Sequence, residues 1–138
     1  MQSNDIITGT TYVAVVEGIP EEPKGTVSSY LRESKALIVY SSQNPEHGFL
    51  AVTHYELMKT SRYYAMLKIN LSTGKKNQVR VHMKDIGHPV AGDKKYGAKT
   101  NPMGRLGLHA WVLAFDHPVN NEPMRFETPV PRKFMRLF

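Results

Sequence analysis

The groups best able to do chemistry in this sequence crowd between Thr73 and His82, where Lys75, Lys76, Asn77, Gln78, Arg80 and His82 fall close together. Ammonium and guanidinium groups neutralise phosphates or hold a nearby carboxylate ionised, and backbone N–H groups at a helix start add a further attraction for phosphate. Cysteine is absent from all 138 residues, which excludes disulfides, thiolate metal sites and thiol nucleophiles together. Any reaction therefore depends on oxygen and nitrogen groups. The formal charge of +6 is spread unevenly: residues 1–58 hold 3 Lys/Arg against 7 Asp/Glu, residues 59–105 hold 11 against 2, and residues 106–138 hold 4 against 3. A middle third this cationic attracts a polyanion through phosphate contacts and counterion release, which makes nucleic acid the natural partner; a solvated basic face is the plainer alternative.

The element that must position these residues is a helix over Lys75–Ile86, in which Val79, Met83 and Ile86 recur at i, i+4 and i+7 and Gly87 marks the end. Arg80 follows Val79 and leaves the apolar face at its margin, where a side chain either enters a cleft or makes a surface salt bridge. Val79 either lines a site or is a core valine, and Gln78 either meets a ligand at the helix start or caps it. Around the helix, Thr11–Glu17 reads as a strand ending at Gly18, Gly25–Ser34 as a short helix, and Ala36–Tyr40 as a buried strand. Gly48–Met58 and Arg62–Leu71 read as longer strands, the second alternating so that one face is buried and one wet, and Leu106–Phe115 as a last long strand.

Strands, one central helix and more strands predict an α+β class: a mainly antiparallel mixed β-sheet with one central helix and short flanking helices. The sequence shows no repeat and no low-complexity tract, so residues 1–138 read as a single domain, with 1–10 flexible. No run reaches the roughly 18 apolar residues of a membrane span, and Met1–Gly9 has no signal-peptide core. A cytoplasmic protein without membrane contact is expected. Nothing ahead of Tyr12 offers a neighbouring element, so the first strand is expected to carry an unpaired edge, to invite self-association, and to hint at sequence missing upstream.

The segment Thr73-Gly74-Lys75-Lys76-Asn77-Gln78-Val79-Arg80-Val81-His82 resembles the TGRxHQIRVH signature of RluA-type RNA pseudouridine synthases. Gly87-His88-Pro89-Val90-Ala91-Gly92-Asp93 with Tyr96-Gly97 resembles the GHPIxGDxxYG that follows it. Leu106–Ala110 and Phe115–Pro118 are similar to RLxLHA and FxHP, Tyr12–Gly18 to a YxAxVxG strand, and Ala51–Tyr55 to an AxTxY strand. The blocks stand in the family's order across residues 12–118. Asn77 replaces the usual His and Lys75 the usual Arg, which keeps the positive charge but not the bidentate geometry. The family's HRLDxxTSG segment, which carries its nucleophilic aspartate, has no counterpart; Asp5 is the only carboxylate ahead of Tyr12.

The resemblance implies an enzyme that isomerises uridine to pseudouridine in ribosomal or transfer RNA with no cofactor and no metal. It makes Tyr12 the platform for the extruded base, or else a tyrosine flanking the sheet, and Arg80 the partner of the catalytic aspartate. It places Val79 against the uracil and Gln78, Lys75, Lys76 and His82 at the substrate. His82, His88 and His109 are not read as a metal site, and Asp93, in a glycine-rich turn, reads as an acceptor for backbone N–H groups. The chain is thus read as the C-terminal portion of the catalytic domain, a fragment expected to be inactive alone. A noncatalytic RNA-binding module or degenerate paralogue, and an unrelated basic β-rich nucleic-acid binder, are the other two readings.

Overall fold

The computed structural model describes residues 10–138, except the side chain of Phe115. Among these residues seven strands form one sheet: β1 (Thr11–Glu17), β2 (Lys24–Glu33), β3 (Val39–Ser42), β4 (Phe49–Thr60), β5 (Tyr64–Leu71), β6 (Leu108–Asp116) and β7 (Pro123–Glu127). Their order is β3-β2-β4-β5-β1-β6-β7, and every neighbouring pair is antiparallel. Helix α1 (Gln78–Asp85) lies on one face and the short α2 (Arg132–Met135) on the other. The mainly antiparallel α+β sheet with few short helices is as expected. Among the described residues no helix is long and apolar enough to cross a membrane.

Burial explains the order. Val13, Ala14, Val15 and Val16 are all fully buried, a run of four apolar residues that only a strand covered on both faces can satisfy. Ala14 and Val16 meet Ala65, Leu67 and Ile69 of β5 and Val79 and Met83 of α1. On the opposite face Val13 and Val15 meet Met66, Ala91, Met103 and Phe134 of α2. A third cluster, Leu31, Val39, Ala51, Val81 and Tyr96, continues the core under α1 toward β3.

Four expectations are corrected by this arrangement. The β1 strand has no unpaired edge: it pairs with β5 from Thr11 to Glu17 and with β6 from Thr11 to Ala14, so the edges are β3 and β7 and the argument for self-association from β1 falls. Gly25–Ser34 is not a helix. All of it but Ser34 lies within β2, whose Ser29 and Leu31 are buried while Ser28 and Arg32 are exposed, a period of two that Val27, Tyr30 and Leu31 conceal by also matching a helical spacing. The strand expected over Ala36–Tyr40 starts only at Val39, because Leu37 turns at φ 61°. The wet face of β5 is wet only in part, since Met66 is 1% exposed beneath α2. The expectation of a flexible segment falls, but for Thr10, outside the described residues.

The α1 helix begins at Gln78 rather than Lys75, because Asn77 sits in the left-handed region at φ 55°, a conformation asparagine tolerates better than most residues. It ends as expected. Gly87, at φ 85°, lets its own N–H reach Lys84 O at 2.9 Å and the N–H of His88 reach Met83 O at 2.9 Å, closing the last carbonyls.

Because Leu67 fills the middle of β5 beneath α1 with no exposed surface, Leu67→Ala is expected to cost about 2–5 kcal/mol of folding stability in urea unfolding; an unchanged midpoint would contradict the packing described.

Candidate functional site

Tyr12 projects from β1 on the α1 face, flanked by Ile69 of β5 and Ala110 of β6, and is partly buried against the core. A cavity of about 140 Å³ joins it to the start of α1. Tyr12, Leu71, Val79 and Leu108 form its apolar walls, and Lys75, Asn77, Gln78 and Arg80 its polar ones. Tyr12 and Arg80 therefore share one space, although the chain separates them by four strands.

Arg80 is held there by a carboxylate. Its Nε donates to Asp93 Oδ2 at 2.9 Å and its Nη2 to Asp93 Oδ1 at 2.8 Å, a bidentate fork with the Asp93 side chain only 1% exposed. Nη1 donates to Asn77 Oδ1 at 3.3 Å, and the guanidinium lies 4.9 Å from the centroid of the Tyr96 ring. Hydrogen bonding to Asp93, set against partial burial, raises the Arg80 pKa above its ordinary value, so the group stays charged. Asp93 thus departs from the expected role: its side chain serves Arg80, while its backbone carbonyl takes the N–H groups of Tyr96 and Ala98. The Asn77 amide also donates to Tyr96 Oη at 3.2 Å, which accepts the Val39 N–H at 3.0 Å. Asn77 therefore ties Arg80, Tyr96 and the helix start together.

Two residues expected at the substrate spend their polar groups on the sheet and the turn. Gln78 is 2% exposed and its amide is fully engaged. Oε1 accepts from Thr73 Oγ1 and from Lys75 N, and Nε2 donates to Val52 O and Thr53 Oγ1. The Lys75 N–H belongs to the turn before the helix, whose start at Asn77 has no side-chain cap, so Gln78 braces that turn and forms part of the cavity wall without offering spare polar groups to RNA. His82 has no exposed surface and does not line the cavity. Its Nε2 is 2.8 Å from Ser29 Oγ and its Nδ1 2.7 Å from Thr53 Oγ1, so it pins α1 to β2 and β4.

The cations are brought together only in part. Lys75 lines the cavity and lies 5.1 Å from the Phe49 ring centroid, whereas Lys76 pairs with Glu33 at 2.6 Å. Lys59 and Arg62 lie at the opposite end of the β4–β5 hairpin, roughly 24 Å away along seven strand steps of about 3.4 Å. His88 and His109 bond separately, to Glu17 O and Thr128 Oγ1. No group of three His, Cys, Asp or Glu is placed to hold a metal among the described residues.

With this geometry in hand, residues 7–85 match the model of the RNA pseudouridylate synthase family. The chain belongs to the RNA pseudouridine synthase family. It is 36% identical over 126 residues to the uncharacterized RNA pseudouridine synthase YjbO of Bacillus subtilis (strain 168), covering 91% of this chain and 44% of that protein. It is 34% identical over 140 residues to ribosomal large subunit pseudouridine synthase D of Haemophilus influenzae, covering 91% and 43%. Human RNA Pseudouridylate Synthase Domain Containing 1 has the same fold, with a TM-score of 0.75 at 23% identity over 88% of this chain and 54% of that one. The chain spans less than half the length of these curated relatives.

The synthase-family residues that sequence reasoning missed are Asp93 as the partner of Arg80, and Tyr96 beneath it. The glycine-rich turn signalled a bend at Asp93 but not the direction of its carboxylate.

Burial pushes the His82 pKa below its ordinary 6.5, only partly opposed by Asp85. The unfolded chain therefore binds this proton more readily than the folded one. The stabilisation is fully present above about pH 6.5 and is lost as pH falls below it. Urea midpoints are expected to drop on acidification from pH 7, and less so in His82→Gln. His109, lowered mainly by burial as well, makes the difference between the two proteins the quantity to read; identical slopes would contradict the role given to His82.

Proposed function

We propose that this chain contributes the uridine pocket of an RNA pseudouridine synthase acting on ribosomal or transfer RNA. The observation that carries the reading is the single cavity shared by Tyr12 and Arg80. Isomerising uridine requires breaking the N-glycosidic bond, turning the base and rejoining it through carbon, all on a nucleotide extruded from its stack. Tyr12 supplies an aromatic face for the base, Val79, Leu71 and Leu108 keep water out, and Arg80 supplies positive charge for a reacting carboxylate. At about 140 Å³ the cavity lies below the roughly 300–1,000 Å³ of a whole ligand site. It suits a base, with the sugar and phosphate outside beside Lys75. The likeness to ribosomal large subunit pseudouridine synthase D favours RNA of the large ribosomal subunit.

The carboxylate is the missing reactant. The sequence has no HRLDxxTSG segment, and both oxygens of Asp93 are engaged by Arg80. The 138-residue chain alone should therefore bind RNA without turning it over. The same Arg80–Asp93 pair favours the second reading, a noncatalytic RNA-binding protein, since a guanidinium already matched by one carboxylate needs no other for charge balance.

The test combines binding and mass-labelling of pseudouridine on a stem–loop RNA with unpaired uridines. Binding without turnover is expected, with Tyr12→Ala about fivefold or more weaker, as loss of a base-stacking ring requires. Turnover by this chain would contradict the missing carboxylate, and full binding by Tyr12→Ala would contradict the pocket.

A further inference from the structure

Phe49 opens β4 with 71% of its surface exposed. It stands opposite Leu31, and cross-strand partners share a face; Leu31 is buried in the cluster under α1, so Phe49 is on the α1 face of the sheet. Its neighbour there is Lys75, whose Nζ lies 5.1 Å from the ring centroid and which also lines the Tyr12–Arg80 cavity. One residue thus borders both the cavity and the exposed ring. An isolated exposed aromatic residue is ordinary. What distinguishes Phe49 is this neighbour: among the described residues no carboxylate lies within salt-bridge range of Lys75, whereas Lys76 is matched by Glu33.

We propose that Phe49 is a stacking platform for the unpaired base adjoining the uridine in the Tyr12–Arg80 cavity, with Lys75 at the phosphate between the two bases. The inference rests on the proposed function and adds a second base subsite to it. An aromatic ring stacks on the face of any base, and a cation beside it neutralises the phosphate that must pass between adjacent nucleotides. A protein partner would also accept an exposed phenylalanine. The unmatched ammonium on the residue that borders both ring and cavity favours a polyanion with planar groups.

The test measures binding of the full chain, across a salt series, to a fluorescent stem–loop RNA with an unpaired uridine flanked by an unpaired purine, and to the same RNA with an abasic flanking position. Phe49→Ala is expected to weaken binding about fivefold or more with no change in salt dependence. Phe49→Leu, which keeps apolar bulk but no ring, should match Phe49→Ala, and Phe49→Tyr should match wild type. On the abasic RNA, wild type and Phe49→Ala should bind alike. Lys75→Ala should flatten the salt dependence by roughly one unit of slope. Phe49→Ala binding within about twofold of wild type, or Phe49→Leu retaining full affinity, overturns the subsite, pointing to a protein-facing or idle ring, while Tyr12→Ala still reports on the cavity. A wild-type chain that binds no RNA overturns the proposed function and this inference with it.

Discussion

The pocket depends on one charge pair. Asp93, almost wholly buried, would be costly without a cation, and Arg80 answers it with two parallel hydrogen bonds on the Nε edge of its guanidinium. That grip fixes the plane of the guanidinium over Tyr96 and beside Asn77. Three of the five N–H donors of an arginine are thereby assigned among the described residues. Any carboxylate that joins the pocket meets a preoriented cation. The arrangement also means that losing Arg80 strips a buried carboxylate of its partner, so its removal is felt in stability as well as in chemistry.

The α1 helix has only eight residues, too few to be stable by itself in water. It is held by apolar contacts at Val79, Val81 and Met83 and by polar pins on either side. His82 bonds Ser29 and Thr53, while Gln78 bonds Thr53, Val52 and the turn at Thr73–Lys75. Arg80 projects toward the cavity between these anchors. The helix therefore positions the site through side chains whose polar groups are spent on the sheet and the turn, and the strands beneath it supply matching hydroxyls where an ordinary core would supply methyl groups.

The apolar run Tyr12–Val16 and the inward face of β5 at Ala65, Leu67 and Ile69 are plain in the sequence because core burial writes them directly into residue type, whereas the burial of Met66 on the other face depends on the distant α2. The β2 strand was not, since its inward residues include Ser29, whose burial makes sense only beside His82, a residue fifty-three positions later. The central place of β1 was hidden for a similar reason: its partners β5 and β6 lie far along the chain, and no local pattern records pairing. The convergence of Tyr12 with Arg80 was legible only through motif resemblance. Spacing alone left Arg80 open between a cleft and a surface salt bridge, and it turns out to lie on the cavity while paired with a buried aspartate. Within the same motif Gln78 lines the cavity while its amide bonds the sheet and the turn, and His82 is buried against β2 and β4; motif position does not separate the two placements.

The most direct test is a crystal structure of this chain with a stem–loop RNA whose loop contains uridine. The account requires an extruded pyrimidine lying against the Tyr12 ring, within reach of Arg80, while the Arg80–Asp93 fork stays intact. A bound RNA with all its bases outside that cavity, or a cavity closed by the Tyr12 side chain itself, would contradict it.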